Sequence, residues 1–161
     1  STLSQAQPEK NEGSKHDFDV KGAGGGGERR GLVGFEAVNC SDDDDRPSVS
    51  RATLLLKAGP GSLGEVTMHA VSGSWVEDDV TWSERQFGVP WATGGGDFDT
   101  GMLASATARP GLFLGRDARG AFGATCPSGV VLVGTPGADA RFWSAESDPE
   151  ERPRLVLEVC P

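Results

Sequence analysis

Ser74-Trp75-Val76-Glu77-Asp78-Asp79-Val80-Thr81-Trp82 sets two tryptophans seven residues apart around three carboxylates, between two halves of the chain that both read as β-structure. Upstream, Arg51-Ala52-Thr53-Leu54-Leu55-Leu56-Lys57 and Glu65-Val66-Thr67-Met68-His69-Ala70-Val71 are short runs of apolar and β-branched residues bounded by glycine and proline, the pattern of strands. The Gly- and Pro-rich stretch 58–64 predicts the turn of a hairpin between them. Downstream, Phe98 to Thr107 reads as a further strand and Leu112-Phe113-Leu114 as a short apolar one. Gly129 to Thr135 is continuously apolar, as a strand at the sheet centre or buried on both faces would be. Pro136-Gly137-Ala138-Asp139 turns the chain back into Ala140 to Ser144, and Arg154 to Cys160 closes it.

Composition agrees with this reading. The 161 residues include 24 glycines and 10 prolines, and helix-forming residues never accumulate over a long window. The expected fold class is all-β, a jelly-roll β-sandwich of two antiparallel sheets with long loops and at most one or two short helical turns. One such turn is expected within Asp78 to Arg85, capped by Asp79 or Thr81, and another within Arg116 to Ala124.

A formal charge of −9 argues against nucleic acid and anionic membranes, each of which needs a basic face. No run approaches the roughly 18 apolar residues needed to cross a bilayer. The start at Ser1, without methionine, reads as a product left after removal of a signal peptide, which places the chain outside the cell or at its surface. Cys40, Cys126 and Cys160 allow three alternative single disulfides, and a bridge that includes Cys160 is preferred; joining Cys40 to Cys160 would stabilise by about 4–5 kcal/mol.

Residues 1–15 form an extended polar segment ahead of a single β-sandwich domain at 16–161. They are too polar to fold alone and read as a flexible leader, or as a segment held by this domain or a neighbouring one. Asp17 to Lys21 and Gly31 to Val38 follow as strands. Between them and Arg51, Asp42-Asp43-Asp44-Asp45 forms an acidic loop. No metal site is assigned; calcium at this loop is the one cofactor weighed, and the run lacks the alternating spacing that aims several carboxylates at one ion. His69 reads as a structural histidine sharing a strand face with Thr67 and Val71, and no second histidine stands near it to support metal or acid–base chemistry.

Taken in order, Ala52-Thr53-Leu54-Leu55-Leu56, Trp75/Glu77, Val80/Thr81/Trp82, Ser144/Glu146 and Pro153/Leu155 resemble the DNRLRE domain, which is grouped with CBM96-type carbohydrate-binding modules. The resemblance spans Glu28 to Val159 and implies an extracellular β-jelly-roll without catalytic machinery. In the residues themselves, Trp75 and Trp82 are expected to close the end of the sandwich over its core, with the Glu77 carboxylate accepting backbone amides in the turn. The rival role is an aromatic platform for sugar. Residues 86–97 look like neither strand nor helix, and Trp91 in this glycine-rich loop either pins it or is displayed. Trp91 stacking on a sugar ring, Arg85 donating to hydroxyls and Phe87 beside them make the candidate binding set.

Two functions follow as expectations. One is a noncatalytic module that binds extracellular polysaccharide or mediates adhesion; the acidic charge favours a neutral glycan. The other is a self-assembling subunit of an extracellular filament or surface layer, its N-terminal segment adding a strand to a neighbouring copy. No enzyme is expected, because no nucleophile motif or carboxylate pair with a defined separation is present.

Overall fold

The structure, a computed structural model, describes residues 1–24, 27–35, 49–111, 113–117 and 129–159. The strands are β1 (Thr2–Ser4), β2 (Asp17–Lys21), β3 (Arg29–Gly34), β4 (Val49–Lys57), β5 (Glu65–Val71), β6 (Glu84–Gln86), β7 (Val89–Pro90), β8 (Phe98–Thr107), β9 (Phe113–Asp117), β10 (Gly129–Gly134), β11 (Asp139–Trp143) and β12 (Arg154–Val159). No helix occurs among the described residues. The fold is an all-β sandwich in which a seven-stranded sheet, ordered β11-β2-β3-β10-β5-β8 with β1 alongside β3, faces a three-stranded sheet ordered β12-β4-β9. The three cysteines, the four-aspartate run and residues 118–124 of the second expected helical turn lie outside the described residues.

Period-two alternation builds the core. Ala52, Leu54 and Leu56 of β4 meet Val66 and Met68 of β5, Val130 and Leu132 of β10, and the stacked rings of Phe18 and Phe142, whose centroids are 5.6 Å apart. The intervening residues of β10 face the other way. Val131 joins a second apolar cluster with Leu3, Leu32, Val71, Val80 and Trp91, and Val133 packs against it. The seven-stranded sheet is therefore covered on both faces at β10, which accounts for the unbroken apolar run of that strand.

Two expectations are corrected here. β4 and β5 do not form a hairpin: β4 pairs with β12 and β9, while β5 pairs with β10 and β8. The chain between them bridges to β11 through Ala58 to Phe142 and Leu63 to Asp139, so the Gly-Pro-Gly turn carries it from one sheet to the other. Residues 1–15 are also not a loose leader. Ser1 donates from its nitrogen to the Leu32 carbonyl at 2.8 Å, accepts from the Leu32 amide at 2.8 Å, and leads into β1 antiparallel to β3. Leu3 is fully buried, so this polar segment is anchored by one apolar side chain together with its backbone and polar side chains.

Candidate functional site

The Trp75–Trp82 stretch lies over the outer face of the seven-stranded sheet. It does not seal the end of the sandwich, because Leu32, Val71 and Val131 on that face need cover, and Trp75, Trp82, Val80 and Trp91 supply it. One α-turn forms within the motif, shifted towards its start: the Val80 and Asp79 amides donate to the Val76 carbonyl at 2.8 and 3.1 Å. Those amides are therefore taken, and Glu77 does not accept them. The Glu77 carboxylate is 56% exposed, with the Ser1 amine 3.9 Å away, and it is the Glu77 carbonyl that is held, by Asn11 Nδ2 at 2.7 Å. The Thr81 hydroxyl accepts from the Ser83 and Glu84 amides and so caps the tight turn that follows.

The N-terminal segment straps this turn down. Asn11 Nδ2 also donates to the Val80 carbonyl at 2.8 Å, the Ser83 hydroxyl donates to Glu9, and the Ser83 amide donates to the Pro8 carbonyl. Further along, the Ser144 hydroxyl donates to the Lys15 carbonyl and accepts from the Glu146 amide, and the Glu146 side chain is exposed. Both sequence motifs thus meet the same strap, around a cleft of about 150 Å³ lined in part by Ser1, Phe35, Glu77, Ser144, Pro153 and Leu155. Burial pushes the Ser1 amine down from 8.0 to about 6, although the Glu77 and Glu12 carboxylates pull it upward. For Glu12, burial alone would raise the carboxyl, but hydrogen bonds and charge from Lys15 and Lys10 hold it below its usual value.

Residues 84–90 form a two-stranded hairpin, β6 with β7: Glu84 and Arg85, expected within a helical turn, are in a strand, and 86–90, expected as neither strand nor helix, complete the hairpin. Its turn needs glycine at 88, where φ is +70°. The hairpin base is pinned on both sides: the Val76 amide donates to the Arg85 carbonyl at 3.0 Å, and the Trp91 amide to the Ser83 carbonyl at 3.0 Å. Arg85 Nη1 donates to the Ser74 carbonyl and hydroxyl, which fixes the guanidinium beside the motif. At the tip, Phe87 is 87% exposed.

Of the two roles weighed for Trp91, the structure shows the pin and not the display that sugar stacking needs. Trp91 is 5% exposed, and its indole N–H donates to the Thr81 carbonyl at 3.0 Å, so its area and its polar atom are both satisfied indoors. The loop that follows folds back because the Asp97 carboxylate accepts from the Ala92 and Thr93 amides at 2.8 and 2.7 Å. Its glycines lie flat on Trp82: a Cβ at Gly94 or Gly95 would come within 2.9 Å of that indole. Arg30 covers Trp82 as well, its guanidinium carbon 5.1 Å from the Trp82 ring centroid and 5.1 Å from that of Phe98. His69 is tied into the same face, with Nδ1 3.1 Å from the Asp99 carbonyl and Nε2 3.0 Å from the Thr67 hydroxyl.

Of the three binding candidates, the structure therefore brings Phe87 and Arg85 onto one hairpin and sends Trp91 inside. No protein-family model matches the chain, and no curated protein matches it. Among the described residues there is no group of three metal-ligating side chains, and no helix long and apolar enough to cross a membrane. The fully exposed phenylalanine was placed in the candidate set by its loop position alone; Asn11, Asp97 and Arg30, which hold the layer together, were missed because their partners are 65 or more residues away or sit on their own loop.

Proposed function

We propose that this chain is a noncatalytic module that attaches, outside the cell, to polysaccharide or to glycans of a cell surface. The observation that carries the reading is Phe87, an aromatic ring 87% exposed at the tip of a hairpin whose base is held by backbone hydrogen bonds. A large apolar side chain is kept in water on a rigid support where a partner gains its burial at little ordering cost. Arg85 stands on the same hairpin as a fixed donor. The resemblance to the DNRLRE domain supports a carbohydrate, and the charge of −9 favours a neutral one.

The rival reading, a filament subunit whose N-terminal segment pairs with a neighbour, is less well supported. Ser1, Asn11 and Lys15 each bond to their own domain. The test is a panel of neutral and acidic polysaccharides, with and without calcium. Phe87→Ala is expected to weaken binding about tenfold, equivalent to about 1.4 kcal/mol, while leaving the urea midpoint nearly unchanged. Failure of the unaltered protein to bind any member of the panel refutes the reading.

A further inference from the structure

Three of the four tryptophans pack in or against the outer apolar layer; Trp143 belongs to neither cluster. It ends β11 opposite Asp17 of β2, on the strand face that also carries Asp139 and Arg141, since Ala140 and Phe142 point into the core. The ring is half-buried, and its indole N–H has no acceptor among the described residues. The outer layer draws its residues from β1, β3, β5, β8 and β10 and from the motif and its loop, and takes none from β2 or β11. This part of the sheet is left open.

Beside Trp143 the face carries an ordered row of charges. Arg141 Nε lies 3.4 Å from Asp17 Oδ2 and 3.2 Å from Asp19 Oδ1. Arg29 Nη1 reaches Asp19 Oδ2 at 2.6 Å, and Lys21 Nζ stands 3.8 Å from Asp139 Oδ2. Three carboxylates balance three cations, so the row presents no net field to select an ion. What it does present is unused hydrogen-bonding capacity at fixed positions: a guanidinium has five N–H groups and each carboxylate accepts along several directions. A hydroxyl, which donates and accepts together, fits between such groups, and a pyranose adds an apolar C–H face that can lie on an indole.

We propose that the β2–β11 face is a binding subsite for an uncharged pyranose, with Trp143 stacking on the ring and Asp17, Asp19 and Arg141 taking its hydroxyls. This rests on the glycan-binding reading and gives it a second surface, separate from the Phe87 hairpin. The experiment is titration calorimetry of the full chain with neutral gluco-, manno- and xylo-oligosaccharides. Trp143→Ala and Arg141→Lys are measured in parallel, each checked for unchanged unfolding in urea. For an oligosaccharide bound by the unaltered protein, Trp143→Ala is expected to lose about tenfold or more in affinity, and Arg141→Lys several-fold, because lysine keeps the charge but not the fork. If Trp143→Ala does not fold, Arg141→Lys and Asp17→Asn carry the test. Unaltered affinity in the folded variants overturns this subsite while the glycan reading stands. Absence of binding by the unaltered protein to all three series overturns the subsite; whether the glycan reading itself survives is then decided by the wider polysaccharide panel.

Discussion

The two apolar layers on either face of the seven-stranded sheet are built by different means. The inner one is made by strands: Phe18, Val20, Leu54, Leu56, Val130, Leu132 and Phe142 arrive by alternation and need no polar help. The outer one is made largely by loops, and it stands only because polar groups fix those loops: Asn11 on two carbonyls, Asp97 on two amides, Thr81 on the Trp91 indole, Arg30 on Trp82. A regular element satisfies its own backbone, so its side chains are free to be purely apolar. An irregular one must recruit side chains for that purpose, and each is a separate point of failure.

The contrast can be broken most strongly from the inner side. Phe142→Ala removes a fully buried ring from the strand-built core and is expected to cost about 3–5 kcal/mol, lowering the urea midpoint of the whole domain. A loss that leaves unfolding of the outer layer unchanged would show that the two layers unfold independently.

A second prediction uses pH to load the strap. Because the Ser1 amine is lowered to about 6 when folded, the unfolded chain binds more protons than the folded one between pH 6 and 8.0. For the chain beginning at Ser1, stability should therefore rise across that window and level off above it, by up to about 2–3 kcal/mol. Acetylating the amine should abolish the slope, and a slope that survives acetylation would assign it to other groups.

The smallest effect sharpens the contrast. Asn11→Ala leaves the Glu77 and Val80 carbonyls without their donor and is expected to cost about 1–3 kcal/mol, with fluorescence from the outer-layer tryptophans changing before circular dichroism reports loss of the sheet. Simultaneous loss in both signals would mean that the strap is integral to the strand-built body.

The inner layer was readable in the sequence. Asp17 to Lys21 and Glu65 to Val71 read as strands from their alternation and Phe98 to Thr107 as a further strand, and all three spans match the strands observed. The connection at 58–64 was misread because a Gly-Pro-Gly turn is compatible with both a hairpin and a passage between sheets, and only the pairing with β11 separates them. The outer layer was less readable. Trp75 and Trp82 signalled burial, but nothing local says which face they cover; Trp91 looked displayable because Thr81, which accepts its indole N–H, and Asp97, which folds back the loop after it through two amides, leave no periodic trace. Phe87 was legible as a loop aromatic, and its exposure follows from a hairpin too short to fold back on itself.

The strap also bears on the order in which the chain can fold. The bond from Asn11 to Val80 spans 69 residues and that from Ser144 to Lys15 spans 129, so the strap is among the last segments to find all its partners. Closure of such distant contacts is slow, and folding on the scale of milliseconds to seconds is expected for a β-topology of this kind. During synthesis residues 1–15 emerge well ahead of Val80 and Ser144, so the last fastening of the strap must wait until the chain has reached Ser144.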